Sequence, residues 1–351
     1  MSPAARPRLT FLDAVRGIAI VLMVLNHTSR DWMDGPMTWP RYYLIYGSLL
    51  YPASLFLFLA GFCLPISYHR AVAPPPPAAV ALGALRRGIV IVAAGYLLNI
   101  LIAWDQPLSN GGVLQTIGLA VILLGASVPL LRYGWARAGL LAAAVLLYVT
   151  FGMALPSLEE WARTRPVLSR AVFHGFPPWP WLSPAMIGLV LGWIWLEARA
   201  RGSEAEERFF SRLLLAGVAC WIAYAAWEWW SPASPGFGFR RDFSLNNHWT
   251  PRGMTVALIG GGVAILLVAA YWLLERRRLP ARWLVVLGQN ALMLYFVHQV
   301  IELTVVNKLL GMRFNAWPVY GAANVVFLVL LYVLAQAWVT IKARPRARSP
   351  A

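Results

Sequence analysis

An arginine, two histidines and a glutamate stand in stretches that are otherwise apolar, and their spacing gives them chemistry to do. Arg16 and His27 lie eleven residues apart in a run of aliphatic residues closed by Asn26. Eleven helical steps of about 100° return to about 20° from the start, so both side chains share one face, about 16 Å apart along the axis. A second apolar run carries His298 and, four residues on, Glu302. Four residues is one helical turn, which puts carboxylate and imidazole on one face. A carboxylate beside an imidazole raises its basicity and fixes its orientation, as a general base requires. Charged and titratable groups are costly in a lipid-spanning helix, so a functional role is the first reading. The plainer reading is structural: Asp13, three residues before Arg16, can pair with it, and His27 can serve as a hydrogen-bonded packing residue.

The elements that must hold these groups are membrane helices. The chain has 351 residues, 60% hydrophobic and 13% charged, with a mean hydropathy of +0.62. Soluble domains carry about 25% charged residues, so half that figure indicates a lipid-embedded chain. Ten apolar runs predict spans at roughly 10–29, 44–68, 86–104, 112–131, 135–155, 181–197, 211–230, 254–274, 283–305 and 317–341, each able to cross ~30 Å of hydrocarbon. The expected fold is therefore all-α: a polytopic integral membrane protein of about ten transmembrane helices, residues 1–351 forming one transmembrane domain. The first span is read as a retained signal-anchor, since Ser29-Arg30-Asp31-Trp32 is no cleavage site.

The net charge of +16 follows topology rather than a nucleic-acid partner. Alternating the loops puts 19 of the 30 Lys and Arg residues on one side, so the positive-inside rule predicts that both termini are cytoplasmic. With 28 arginines against two lysines, the usage points to a GC-rich bacterial genome, and so to the bacterial inner (plasma) membrane. His27, about 24 Å along the first span, and His298, about 22 Å along the ninth, reach one membrane level if their helices are neighbours. Both cysteines, Cys63 and Cys220, fall inside spans, and no His/Cys/Asp spacing predicts a metal site. The outer loops 30–43, 156–180 and 231–253 are rich in Trp, Tyr and Pro, as an aromatic belt or a sugar-stacking surface would be.

Arg16, ten intervening residues and His27 resemble the arginine-x10-histidine signature of acyltransferase family 3. The stretch Leu12-Asp13-Ala14-Val15-Arg16-Gly17-Ile18-Ala19 is similar to the opening of the heparan-α-glucosaminide N-acetyltransferase catalytic domain and its bacterial relatives. Phe56 to Phe62 resembles that group's second-span motif. Leu287 to His298, with Gly288, Asn290 and Tyr295, resembles its late span. The resemblance implies an integral-membrane O- or N-acyltransferase, with acetyl the favoured group. Acyl-CoA would be a cytoplasmic co-substrate rather than a permanently bound cofactor, and the acceptor an extracytoplasmic glycan or glycolipid.

In that scheme His27, His298 and Glu302 are the catalytic candidates. Arg16, Arg86, Arg87 and Asn290 hold the donor, the arginines through forked contacts to phosphate. Arg30, Asp31, Trp32 and His248 contact the acceptor. One departure stands out. The heparan group usually carries asparagine at the position of His27, with its catalytic histidine in the following outer loop, and loop 30–43 has no histidine here. Either His27 takes the role, as in acyltransferase family 3, or acyl transfer is in question. Two other classes fit the same residues: a transporter or flippase with a His298–Glu302 proton relay, and a non-catalytic membrane scaffold.

Overall fold

The computed structural model describes residues 9–35, 48–69, 75–102, 110–165, 167, 169, 176–230 and 254–343. Among these residues every regular element is helical, and nine helices are long and apolar enough to cross a membrane. The chain is an all-α, multi-pass membrane protein.

The helices in chain order are α1 (Thr10–Asp31), α2 (Ser48–His69), α3 (Pro77–Ile102), α4 (Val113–Gly125), α5 (Gly134–Thr164), α6 (Pro178–Ala200), α7 (Ser203–Trp230), α8 (Thr255–Ala270), α9 (Arg282–Gln289), α10 (Ala291–Gln299) and α11 (Trp317–Ala343). Several depart from the spans expected of the sequence, α5 running to Thr164 rather than 155. The predicted fourth span is a 13-residue α4 followed by a 3-10 turn at Val128–Arg132, the break falling where Pro129 interrupts the helical hydrogen bonds. Helix α3 starts at Pro77, inside the proline run, because proline is tolerated in a first turn whose N–H groups are unpaired anyway. The seventh span, expected at 211–230, begins eight residues earlier at Ser203, with Glu204 and Glu206 in the first turn of α7. The ninth span is not one helix. It breaks at Asn290, resumes as α10 and widens into a π-helix over Val300–Leu309.

The described chain divides into two compact units, one running from Ala53 to Ala269 and one joining Arg8–Pro52 to Ala270–Ala351. In the larger unit, α2 and α6 cross backbone to backbone. A Cβ at Gly61 would strike the carbonyl of Ala185, and one at Gly188 or Gly192 the carbonyls of Phe58 or Phe62. Small residues let membrane helices approach this closely, where van der Waals packing replaces the hydrophobic drive.

In the smaller unit α1 is the central element. It is one unbroken helix of 22 residues, and thirteen of them are buried. It crosses α9 at a pair of glycines: a Cβ at Gly288 would run into the carbonyl of Asp13, and one at Gly17 into that of Leu284. Beyond its C-terminal end, Met33 forms a β-bridge with Phe314, and Trp32 packs on Phe314 and Phe327 with ring centroids 5.7 and 5.2 Å apart. The break at Asn290 has a local cause. Its side-chain Nδ2 donates to the Val286 carbonyl at 2.8 Å, taking an acceptor that the backbone of a continuous helix would use.

Candidate active site

The groups singled out in the sequence gather along α1 in the smaller unit. Near its N-terminal end, Arg16 donates to Asp13 at 2.7 Å, and Gln289 Nε2 approaches the other Asp13 oxygen at 3.4 Å. The salt bridge expected of the plainer reading is therefore present. The Arg16 side chain still keeps 30% of its surface exposed, so it remains reachable. Because α1 is continuous, His27 follows about 16 Å further along the same face.

His27 and His298 meet. Their rings stack at 21° with centroids 5.3 Å apart, and Nδ1 of His27 lies 3.1 Å from Nε2 of His298. His298 is fully buried, whereas His27 is only half-buried. Behind the pair, His298 Nδ1 is 2.9 Å from the Leu294 carbonyl, and Tyr295 stands edge-on to its ring at 5.6 Å. Thus His27 is the accessible imidazole and His298 the one enclosed by protein.

Glu302 occupies a different place from the one its spacing predicts. Both nitrogens of His298 face other partners, His27 and Leu294. The helix passes from α to π at Val300, and the wider turn changes the register on which the one-turn expectation rests. The Glu302 carboxyl is buried next to Asp31 and Arg30, and its Oε1 makes no hydrogen bond among the described residues. Its backbone carbonyl accepts from Trp32 Nε1 at 3.2 Å. Arg30, Asp31 and Trp32, expected to face an acceptor, therefore lie in the same unit as the histidine pair and beside Glu302. Arg313 donates to the Asp31 carbonyl at 2.7 Å, tying this end of α1 to the loop before α11.

Asn290 is buried and spends its Nδ2 on Val286, so its evident task is the helix break. Arg86 and Arg87 belong to the larger unit and are exposed on α3. Arg87 donates to the Gly83 carbonyl at 3.2 Å and lines a cavity of about 180 Å³ with Ser67, Tyr68 and Pro75. His248 lies outside the described residues. No group of three or more His, Cys, Asp or Glu among the described residues is arranged to hold a metal ion.

Four site residues were not read from the sequence. Gln299 sets its side-chain amide against His27 Nδ1. Thr28, directly after His27, donates to Asn324 Oδ1 at 2.7 Å and lies 3.1 Å from the Tyr320 hydroxyl, all three being buried. Tyr320 in turn donates to the Leu25 carbonyl at 3.1 Å. The signal for two of them was available: Tyr320 and Asn324 sit one turn apart in the last apolar span.

The family model described as heparan-alpha-glucosaminide N-acetyltransferase, catalytic, matches residues 8–225, well over half of the chain. The matched segment includes Asp13, Arg16 and His27 and ends before α8, so His298 and Glu302 lie beyond it. No curated protein matches the chain.

Proposed function

The chain belongs to the heparan-α-glucosaminide N-acetyltransferase catalytic family, and we propose that this membrane acetyltransferase moves an acyl group, acetyl in the first instance, from cytoplasmic acyl-CoA to a hydroxyl or amine of an extracytoplasmic glycan or glycolipid. The observation that carries this reading is the single helix α1. It holds a reachable arginine near one end and a half-buried histidine, oriented by a second imidazole, about 16 Å further on. That rise suits the extended arm of a donor whose phosphates are at one membrane face and whose thioester is near the other.

Arg16 contacts the donor phosphates; Arg86 and Arg87, on α3 of the larger unit, are separate donor-binding candidates. His27 acts at the thioester. As a base it takes the proton from the acceptor O–H or N–H while the acceptor oxygen or nitrogen attacks the thioester carbonyl. The tetrahedral intermediate then collapses, the carbon–sulfur bond breaks, and the departing thiolate recovers that proton from His27. In the covalent variant the His27 nitrogen attacks the thioester carbonyl and the carbon–sulfur bond breaks, CoA leaving as the thiolate. The acceptor oxygen or nitrogen then attacks the acyl-imidazolium, the carbon–nitrogen bond to His27 breaks, and the acceptor's proton passes to the thiolate. Arg30, Asp31 and Trp32 are the acceptor-side candidates, together with His248. The charge bias of the loops supports cytoplasmic termini, and the preference for arginine over lysine supports a bacterial inner membrane.

The break at Asn290 also fits the transport reading, since discontinuous helices build many transporter sites. Acetyl-CoA binding to the purified protein separates the two, with wild type measured beside Arg16→Ala. Saturable binding that is weakened at least tenfold in the variant supports the donor site. A folded wild-type protein that does not bind acetyl-CoA overturns it and brings transport forward.

A further inference from the structure

Three hydrogen-bonding groups in a row at the centre of the smaller unit determine where one proton sits. The Leu294 carbonyl can only accept, so His298 Nδ1, 2.9 Å away, must carry a hydrogen. The neutral imidazole has one N–H, which leaves His298 Nε2 as a lone pair. The His298 ring is fully buried, where a bare ion would lose its hydration, so the neutral form is the one to consider. His27 Nδ1 faces that lone pair at 3.1 Å. Two lone pairs do not hold each other at that distance, so His27 Nδ1 is the donor and His27 Nε2 is the nitrogen left bare.

We propose that His298 is a positioning residue: through the Leu294 carbonyl it locks His27 in the Nδ1–H tautomer, so that Nε2 is the base. Neutral histidine in water favours the opposite, Nε2–H form, in which the bare nitrogen would point at His298 rather than at a substrate. The inference deepens the acetyltransferase reading and rests on it for its purpose, though not for its test. It also assigns Gln299. Its amide lies against the same Nδ1, which already has a hydrogen to share, so the oxygen of that amide is the atom that faces His27. Amide oxygen and nitrogen have nearly the same shape, and the hydrogen-bond network decides between them.

During transfer, the acceptor's proton enters His27 at Nε2 while the Nδ1–H stays hydrogen-bonded to His298. The proton then leaves from Nε2 to the departing thiolate. A neutral imidazole held by a backbone carbonyl thus does the orienting that a carboxylate does in a serine-hydrolase triad.

The test is nitrogen NMR of the detergent-purified full chain with ¹⁵N-labelled histidine, run at a pH where the rings are neutral. The chain has five histidines, and the His27→Gln spectrum identifies the His27 signals by their loss. In the wild type, His27 should show a protonated Nδ1 and a bare Nε2. His298→Gln, whose amide oxygen reaches the position of the lost Nε2, should keep that tautomer. The double variant His298→Phe/Gln299→Leu, which removes both acceptors facing Nδ1, should return His27 to Nε2–H. An Nε2–H tautomer for His27 in the wild type overturns the proposal. So does an unchanged Nδ1–H tautomer in the folded double variant. If the double variant does not fold, Gln299→Leu alone, which leaves His298 as the acceptor, should keep Nδ1–H, and loss of that tautomer overturns the proposal. None of these readings depends on donor or acceptor, so failure here is distinct from failure to bind acetyl-CoA.

Discussion

Nδ1 of His27 faces Nε2 of His298 across 3.1 Å, joining two helices whose histidines are 271 residues apart in the chain. The contact turns two isolated polar groups into one device. One ring is partly exposed and the other is fully buried, so His27 is the one placed to meet a substrate. A packing pair would need no such asymmetry.

Replacing the exposed member should stop the chemistry and spare the rest. His27→Ala is expected to lower transfer by about 10²–10⁴-fold, the usual contribution of a positioned acid–base group. Acetyl-CoA affinity should stay within about twofold, since the donor phosphates are proposed to bind about 16 Å away. Radiolabelled acetyl transfer and equilibrium binding on the same preparation check both halves. Full activity in the variant would remove His27 from the mechanism.

Arg16 should matter through its shape as well as its charge. Arg16→Lys keeps the cation and can keep the Asp13 contact, but it loses the fork that grips phosphate at two points. A donor KM raised about tenfold, with kcat little changed, is the expected pattern; it corresponds to about 1.4 kcal/mol of binding. Asp13→Asn serves as the control. If it weakens donor binding as much as Arg16→Lys, the pair acts as a structural clamp.

Much of this was legible in the sequence, and the parts that were not have physical reasons. Arg16 and His27 could be placed on one face because α1 is a regular helix, where angle and rise are fixed by residue count. The link from Glu302 to His298 did not follow in the same way, because the helix widens to π between them and hydropathy carries no sign of that change. The break at Asn290 is equally silent in an apolar profile, since it depends on a side-chain amide taking a backbone acceptor. Gln299 and Thr28 each adjoin a histidine in the chain, but which way they point is set by the tertiary fold. The ten expected spans mostly survive as helices because lipid leaves few alternatives for an apolar backbone.

The glycine crossing of α1 and α9 should tolerate no enlargement. Gly288→Val puts carbon where the Asp13 carbonyl lies, in the same turn that carries Arg16. Overpacking of this kind costs about 1–3 kcal/mol, and more where the obstacle is backbone. The variant should melt several degrees below wild type in detergent, with Gly321→Val, at an open exposed position on α11, as the matched control. Equal melting temperatures for the two variants would mean that α1 and α9 are not packed this closely.

The buried hydroxyl beside His27 gives a sharper test of the same packing. Thr28 serves Asn324 at 2.7 Å and meets the Tyr320 hydroxyl at 3.1 Å, with all three side chains enclosed. Thr28→Val preserves shape but leaves Asn324 Oδ1 without its donor, a loss of about 1–3 kcal/mol for a buried polar atom. Asn324→Leu removes the orphaned acceptor, so the double variant Thr28→Val/Asn324→Leu should be more stable than the sum of the two single losses. Residues that share one network show such coupling, typically about 0.5–3 kcal/mol. Strict additivity of the melting shifts would show that Thr28 and Asn324 do not form this contact. α11 would then be tied to the turn of α1 that presents His27 through Tyr320 and not Asn324.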